Sequence, residues 1–218
     1  MSNATIYHDA RERITQLAKT ADPKTPVPTC PGWSVKDLVA HLSGSLDAYI
    51  SDRLEGASSP AWGDGQVEER RDLSLEECLG EWERNASRAD EMLESRLGAV
   101  AVADVLAHEQ DIRTALHRPG HRDGEGILAS VELALRFVEQ KMQASNLPAL
   151  RIVTEDLDRQ IGGGEAAGTL NASTFELFRL LHGRRSPAQV RALDWDGDPE
   201  TWIDVLFLFG PTAYDIHE

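Results

Sequence analysis

The clearest periodicity begins after Ser34, where Val35, Leu38, Val39, Leu42, Leu46, Tyr49 and Ile50 follow the i, i+3, i+4, i+7 spacing of one apolar helix face. Ser34 with Asp37 three residues on reads as a shortened capping box that opens this helix. Upstream, the pattern predicts a helix from Ile6 to about Leu17, ending before ADPKTPVPTCPGW, whose four prolines in thirteen residues exclude a continuous helix. GASSPAWGDG reads as a loop, and the Ser74 and Glu77 pair opens a third helix running to about Arg96, with Leu75, Cys78, Leu79, Trp82 and Leu93 inward. Two more helices are predicted, about Val100 to His117 and about Ile127 to Met142. One apolar stripe per helix and loops between them are what an up-and-down bundle requires.

Beyond Ala144 to Pro148 the pattern changes. LRIVTEDLDRQI and GTLNAS read as short strands around a hairpin turn at Gly162, Gly163 and Gly164, Ala172 to His182 as a helix, and Pro199 to Phe209 as a helix running into an extended end. The predicted class is therefore α+β: a four-helix-type up-and-down bundle over residues 1–145 and a small C-terminal α/β domain over 149–218.

Charge and cysteine usage narrow the function. A formal net charge of -15 leaves no basic face for phosphates, so nucleic acid and anionic membranes are poor partners. The polar N-terminus lacks the apolar core of a signal peptide, and no stretch has the length of a membrane span. Cys30 and Cys78, far apart and without metal-ribbon spacing, read as free thiols of a reducing compartment, so a cytoplasmic protein is expected, as a monomer or homodimer. Cys78 belongs to an apolar helix face, and Cys30 reads as a packed thiol in its proline-rich turn.

At about 100° per residue, His41, Asp104 and His108 fall at or just beyond the edges of their apolar stripes. Asp104 and His108, four apart, are neighbours on one helix, and His41 can meet them from a facing one. Two histidines and a carboxylate leave a coordination position open, the arrangement of a catalytic divalent site, with zinc first and iron, nickel or manganese also compatible. Asp111, three after His108, either orients a ligand or is solvated. His8, His117, His121, His182 and His217 have no partner at ligand spacing and read as structural or surface residues.

TCPGWSVKDLVAHL (Thr29 to Leu42) resembles the helix opening of the mycothiol-dependent maleylpyruvate isomerase family, within the broader DinB-like metal-binding bundles. DVLAHEQDIRTAL (Asp104 to Leu116) resembles its second ligand helix, and LRIVTEDLDRQIGGG, HGRRS and LDWDGDP its small C-terminal domain. The resemblance implies a metal on His41, Asp104 and His108, with Asp104 standing where the named isomerase is expected to carry Glu. It also implies mycothiol as the thiol partner and a small electrophile as substrate. Isomerisation would follow by thiolate addition to a double bond, rotation and expulsion. Arg113, Arg184 and Arg185 are the cationic groups expected to meet an acidic substrate.

The alternatives are an S-transferase on the same site, a non-catalytic metal-binding or ligand-binding protein, and a carrier module in the C-terminal domain. IGGGEAAG lacks the helix that dinucleotide binding needs, and Asp194, Asp196 and Asp198 lack the glycine and glutamate positions of a calcium loop.

Overall fold

The computed structural model describes residues 1–57 and 59–218 and divides into two compact units, Met1–Gly120 and His121–Glu218. The division falls upstream of the expected 145–149 junction, so the helix at 125–144 belongs to the second unit.

The first unit contains α1 (Asn3–Lys19), α2 (Val35–Ile50), α3 (Pro60–Glu69), α4 (Leu75–Ala86), α5 (Asp90–Leu93) and α6 (Arg96–Ala115). The four longer helices α1, α2, α4 and α6 form the bundle, α1 packing on α6 and α2 on both α4 and α6. Both capping boxes form: Ser34 with Asp37 opens α2, and Ser74 with Glu77 opens α4. The stripe predicted for α2 is buried except at Ile50, which is partly exposed, and Val35, Leu38, Val39 and Leu46 have no exposure at all. Cys78 is likewise in the core, where burial raises its thiol pKa.

Two helix boundaries differ from the sequence expectation. GASSPAWGDG includes Ser58, which lies outside the described residues, but from Pro60 onward it is helical rather than a loop. Ser59 caps the Trp62 N–H and Pro60 occupies the first turn, where its missing N–H costs nothing. The helix expected from Ser74 to Arg96 stops at Ala86, and Ser95 caps a fresh start for α6.

The turn into α6 is tight enough to require glycine. A Cβ on Gly98 would meet the Leu93 carbonyl oxygen at 1.7 Å, a backbone atom that cannot rotate away. Gly98→Ala is therefore expected to lose about 1–3 kcal/mol despite alanine's better helix propensity, read as a lower urea midpoint at unchanged m value.

The second unit begins with α7 (Glu125–Ala144), followed by β1 (Ala149–Val153), β2 (Asp158–Ile161), β3 (Ala166–Asn171), α8 (Thr174–Leu181), α9 (Pro187–Arg191), β4 (Asp194–Asp196), a 3-10 turn (Pro199–Thr201) and α10 (Ile203–Leu206). The sheet order is β2-β1-β3-β4: β1 is antiparallel to β2 and parallel to β3, and β3 is antiparallel to β4. The glycine run at 162–164 thus joins strands on opposite sides of β1 and is not the hairpin turn expected from the sequence. Helix α7 packs on α8, and Trp195 of β4 stacks on Trp202 with ring centroids 6.1 Å apart. Among the described residues no helix is long and apolar enough to cross a membrane.

Candidate metal centre

His41 comes from α2, and Asp104 and His108 come from α6, which packs against it. One ligand atom of each residue lies within 4.8 Å of the others. Both imidazoles are 6% exposed, whereas the Asp104 side chain keeps 28% of its surface open. The packing of α2 on α6 brings these three side chains together, with the histidines more deeply enclosed than stripe-edge positions implied.

Distances decide what the cluster can do. His41 Nε2 lies 3.5 Å from Asp104 Oδ2, and His108 Nε2 lies 3.4 Å from Asp104 Oδ1. Charge-assisted hydrogen bonds run at about 2.7–2.9 Å. Two donors on one tetrahedral ion, with bonds of about 2.0–2.1 Å, are about 3.3–3.5 Å apart. Both contacts, each to a different oxygen of Asp104, are long for charge-assisted hydrogen bonds and compatible with donors placed about one ion, and the nitrogen and oxygen set suits a divalent transition metal.

The two histidines are fixed differently. His108 Nδ1 lies 2.9 Å from Oδ2 of Asp111, which has no exposure, so the outer nitrogen is tied to a buried carboxylate. Among the described residues His41 Nδ1 has no hydrogen-bond partner, while Ser45 Oγ lies 3.5 Å from its Nε2 and the ring is packed by its neighbours. Trp33 lies 4.9 Å from it, Trp62 meets it edge-on at 6.3 Å, and Gly63 backs it: a Cβ there would stand 3.6 Å from the imidazole.

Electrostatics favour an Asp104 carboxylate beside a protonated His108 when no ion is bound. Burial alone would raise the Asp104 carboxyl, but His108 and then His41 outweigh it and hold that group well below the usual carboxylate range. For His108, burial opposes the charge, yet Asp104 and Asp111 prevail and push its pKa well above the ordinary value.

Cys30, Asp111 and His108 form a second group of possible donors, at the other nitrogen of the same ring. There the 2.9 Å contact between Asp111 and His108 has hydrogen-bond length, which marks this side as support for the first cluster. Sequence reasoning left Asp111 open between two roles and read Cys30 as packing. The available signal was the i+3 spacing of Asp111 from His108; for Cys30, in a turn, no periodicity existed.

The three arginines each bond to groups of their own unit. Arg113 Nη2 lies 2.9 Å from Oε1 of the fully buried Glu109, and its Nη1 donates to the Arg118 carbonyl oxygen. Arg184 donates to the His182 carbonyl oxygen, and Arg185 to Glu176 and Glu218, within the second unit. A cavity of about 370 Å³ in that unit is lined by Arg122, Glu176, Arg185 and Glu218 together with Phe175 and Ile216. So charged a lining does not suit an apolar cargo. Of the other histidines, His8 pairs with Asp90 at the surface and His182 Nδ1 bonds the Phe178 carbonyl oxygen.

The fold is that of an α+β protein whose first unit is a helical bundle carrying the donor cluster. Residues 6–101 match the family model described as the mycothiol maleylpyruvate isomerase N-terminal domain. His41 lies inside the matched span, with Asp104 and His108 just beyond it. Among solved structures, a histidine-to-alanine mutant of the mycothiol-dependent maleylpyruvate isomerase is similar at a TM-score of 0.58 and 14% identity, covering 84% of this chain and 88% of that one. The crystal structure of the isomerase itself gives a TM-score of 0.54 at the same identity and coverage. At such identity the likeness shows the fold. No curated protein matches the chain.

Proposed function

We propose that this chain is a metal- and mycothiol-dependent enzyme, an isomerase or S-transferase, that acts on a small electrophile of the maleylpyruvate kind. The observation that carries the reading is the pair of 3.4 and 3.5 Å spacings from Asp104 to the two imidazoles, in a chain whose N-terminal unit matches the mycothiol isomerase family. His41, Asp104 and His108 would hold the ion, with zinc the first choice for this donor set. A divalent ion bound there supplies a Lewis acid that lowers the pKa of a thiol in its open position.

The chain's own residues do the rest. Asp104 brings the negative charge of the ligand set and, as the most exposed of the three, borders the side open to solvent. Asp111 keeps the proton of His108 on Nδ1, leaving Nε2 free to ligate. Trp33 and Trp62 flank His41 and restrict water around it. The proposal keeps Arg113, Arg184 and Arg185 as candidate positive charges, each considered within its own unit. Each already donates to protein oxygens, so an incoming carboxylate has to share or displace those acceptors.

Purified protein is expected to carry about one divalent ion per chain by elemental analysis, and His41→Ala to lose it together with mycothiol-dependent turnover. Full occupancy in His41→Ala would sink the ligand assignment. Metal without thiol-dependent reaction across a panel of electrophiles would leave a metal-binding protein and remove the enzyme.

A further inference from the structure

The proline-rich segment before α2 is ordered by its own backbone. Val27 N–H donates to the Trp33 carbonyl oxygen, Cys30 N–H to Val27, and Trp33 N–H to Cys30 at 3.0 Å. Pro31 and Gly32 occupy the two central positions of that last turn, and Gly32 has φ 90°, the pattern of a type II turn. Its two corners reach the candidate metal centre. Trp33 lies over His41 and within 6.3 Å of His108, while Cys30 Sγ lies 3.4 Å from Asp111 Oδ2 and 3.8 Å from His108 Nδ1.

We infer that Cys30 is a positioning residue for the metal centre, its thiol donating to the same Asp111 oxygen that holds His108. The inference rests on the metal reading above. Oδ2 of Asp111 is shared between His108 Nδ1 at 2.9 Å and the thiol at 3.4 Å. A carboxylate turns easily about its terminal torsion, and a second donor on the same oxygen opposes that turn. With Oδ2 fixed, the His108 ring plane and tautomer are fixed, and the Nε2 lone pair points toward the Asp104 side. Cys30 acts on the ion through two residues, Asp111 and His108. The turn therefore couples the entry to α2, which carries His41, to the ligand pair on α6.

Cobalt(II) titration of the full chain tests this, with wild type, Cys30→Ala and Cys30→Ser compared by affinity and by the ligand-field spectrum. Cys30→Ala is expected to bind cobalt about tenfold more weakly, with a shifted spectrum, as outer-shell losses do. Cys30→Ser should stay within about threefold of wild type, since a hydroxyl donates the same bond. Equal affinity and spectrum for Cys30→Ala overturn the inference while leaving the metal reading intact. Cys30→Ser as weak as Cys30→Ala also overturns it, because packing rather than donation would then be the cause. A sulfur-to-cobalt charge-transfer band in wild type would make Cys30 a ligand and overturn the positioning role. Wild type that takes up no cobalt overturns the metal reading and this inference together.

Discussion

His108→Ala is expected to abolish stoichiometric divalent metal binding and to destabilise the metal-free protein as well, by about 3–5 kcal/mol. The two losses have separate causes. In the proposed site the ion would lose one of three protein ligands, a larger change than the roughly 10–100-fold of an outer-shell loss. The metal-free chain loses the cation between Asp104 and Asp111, and Asp111, with no exposure, cannot turn to solvent for compensation.

The pH dependence separates this account from simple cavity formation. The folded-state pKa of His108 is raised above its unfolded value, so its contribution is complete below about 6.5 and is lost as pH rises through the folded pKa. Metal-free wild type should lose stability across that window with a slope of up to about 1.4 kcal/mol per pH unit, and metal-free His108→Ala should lack that decline. With metal bound the sign reverses, because protons compete with the ion for His108 and binding strengthens as pH rises. Urea denaturation at several pH values, with and without chelator, measures both. A pH-independent metal-free wild type would refute the assignment of charge to His108.

Glu109→Ala is expected to cost about 3–5 kcal/mol without touching a proposed ligand. Glu109 has no exposure and is gripped by Arg13 through Nε at 2.8 Å and Nη2 at 2.7 Å, and by Arg113 through Nε at 3.0 Å. It thereby ties α1 to α6 one residue past His108. Removing it leaves two guanidinium groups, of which Arg113 is only 11% exposed. Arg13→Met should cost less, because Arg113 still pairs with the carboxylate and Arg13 is 24% exposed. Urea midpoints rank the two variants; equal losses would contradict the buried-charge explanation.

The site was legible where chemistry repeats with the helix. Asp104 and His108 share a face because they are four apart, and an apolar stripe on α2 shows that His41 belongs to a packed helix. Asp111 was ambiguous because three residues from a ligand is equally a path to solvent. Only the packing around α6, which leaves Asp111 no exposure, makes it the partner of His108. The helix at Pro60–Glu69 was missed because glycine and proline content outweighed the Ser59 and Pro60 start signal. The parallel pairing of β1 with β3 was hidden because alternation records which face a residue occupies and not which strand lies beside it.

The sequence by itself determined the α+β class, the capping boxes at Ser34 and Ser74, the buried stripe of α2 and the pairing of Asp104 with His108. These follow from local propensity and period, which act over a few residues. Tertiary structure decided that His41 meets that pair across two helices, that Asp111 and Cys30 stand behind His108, and that Arg113 is held by Glu109. Those contacts join residues up to 81 positions apart, and the close packing that creates them has no periodic trace in the chain.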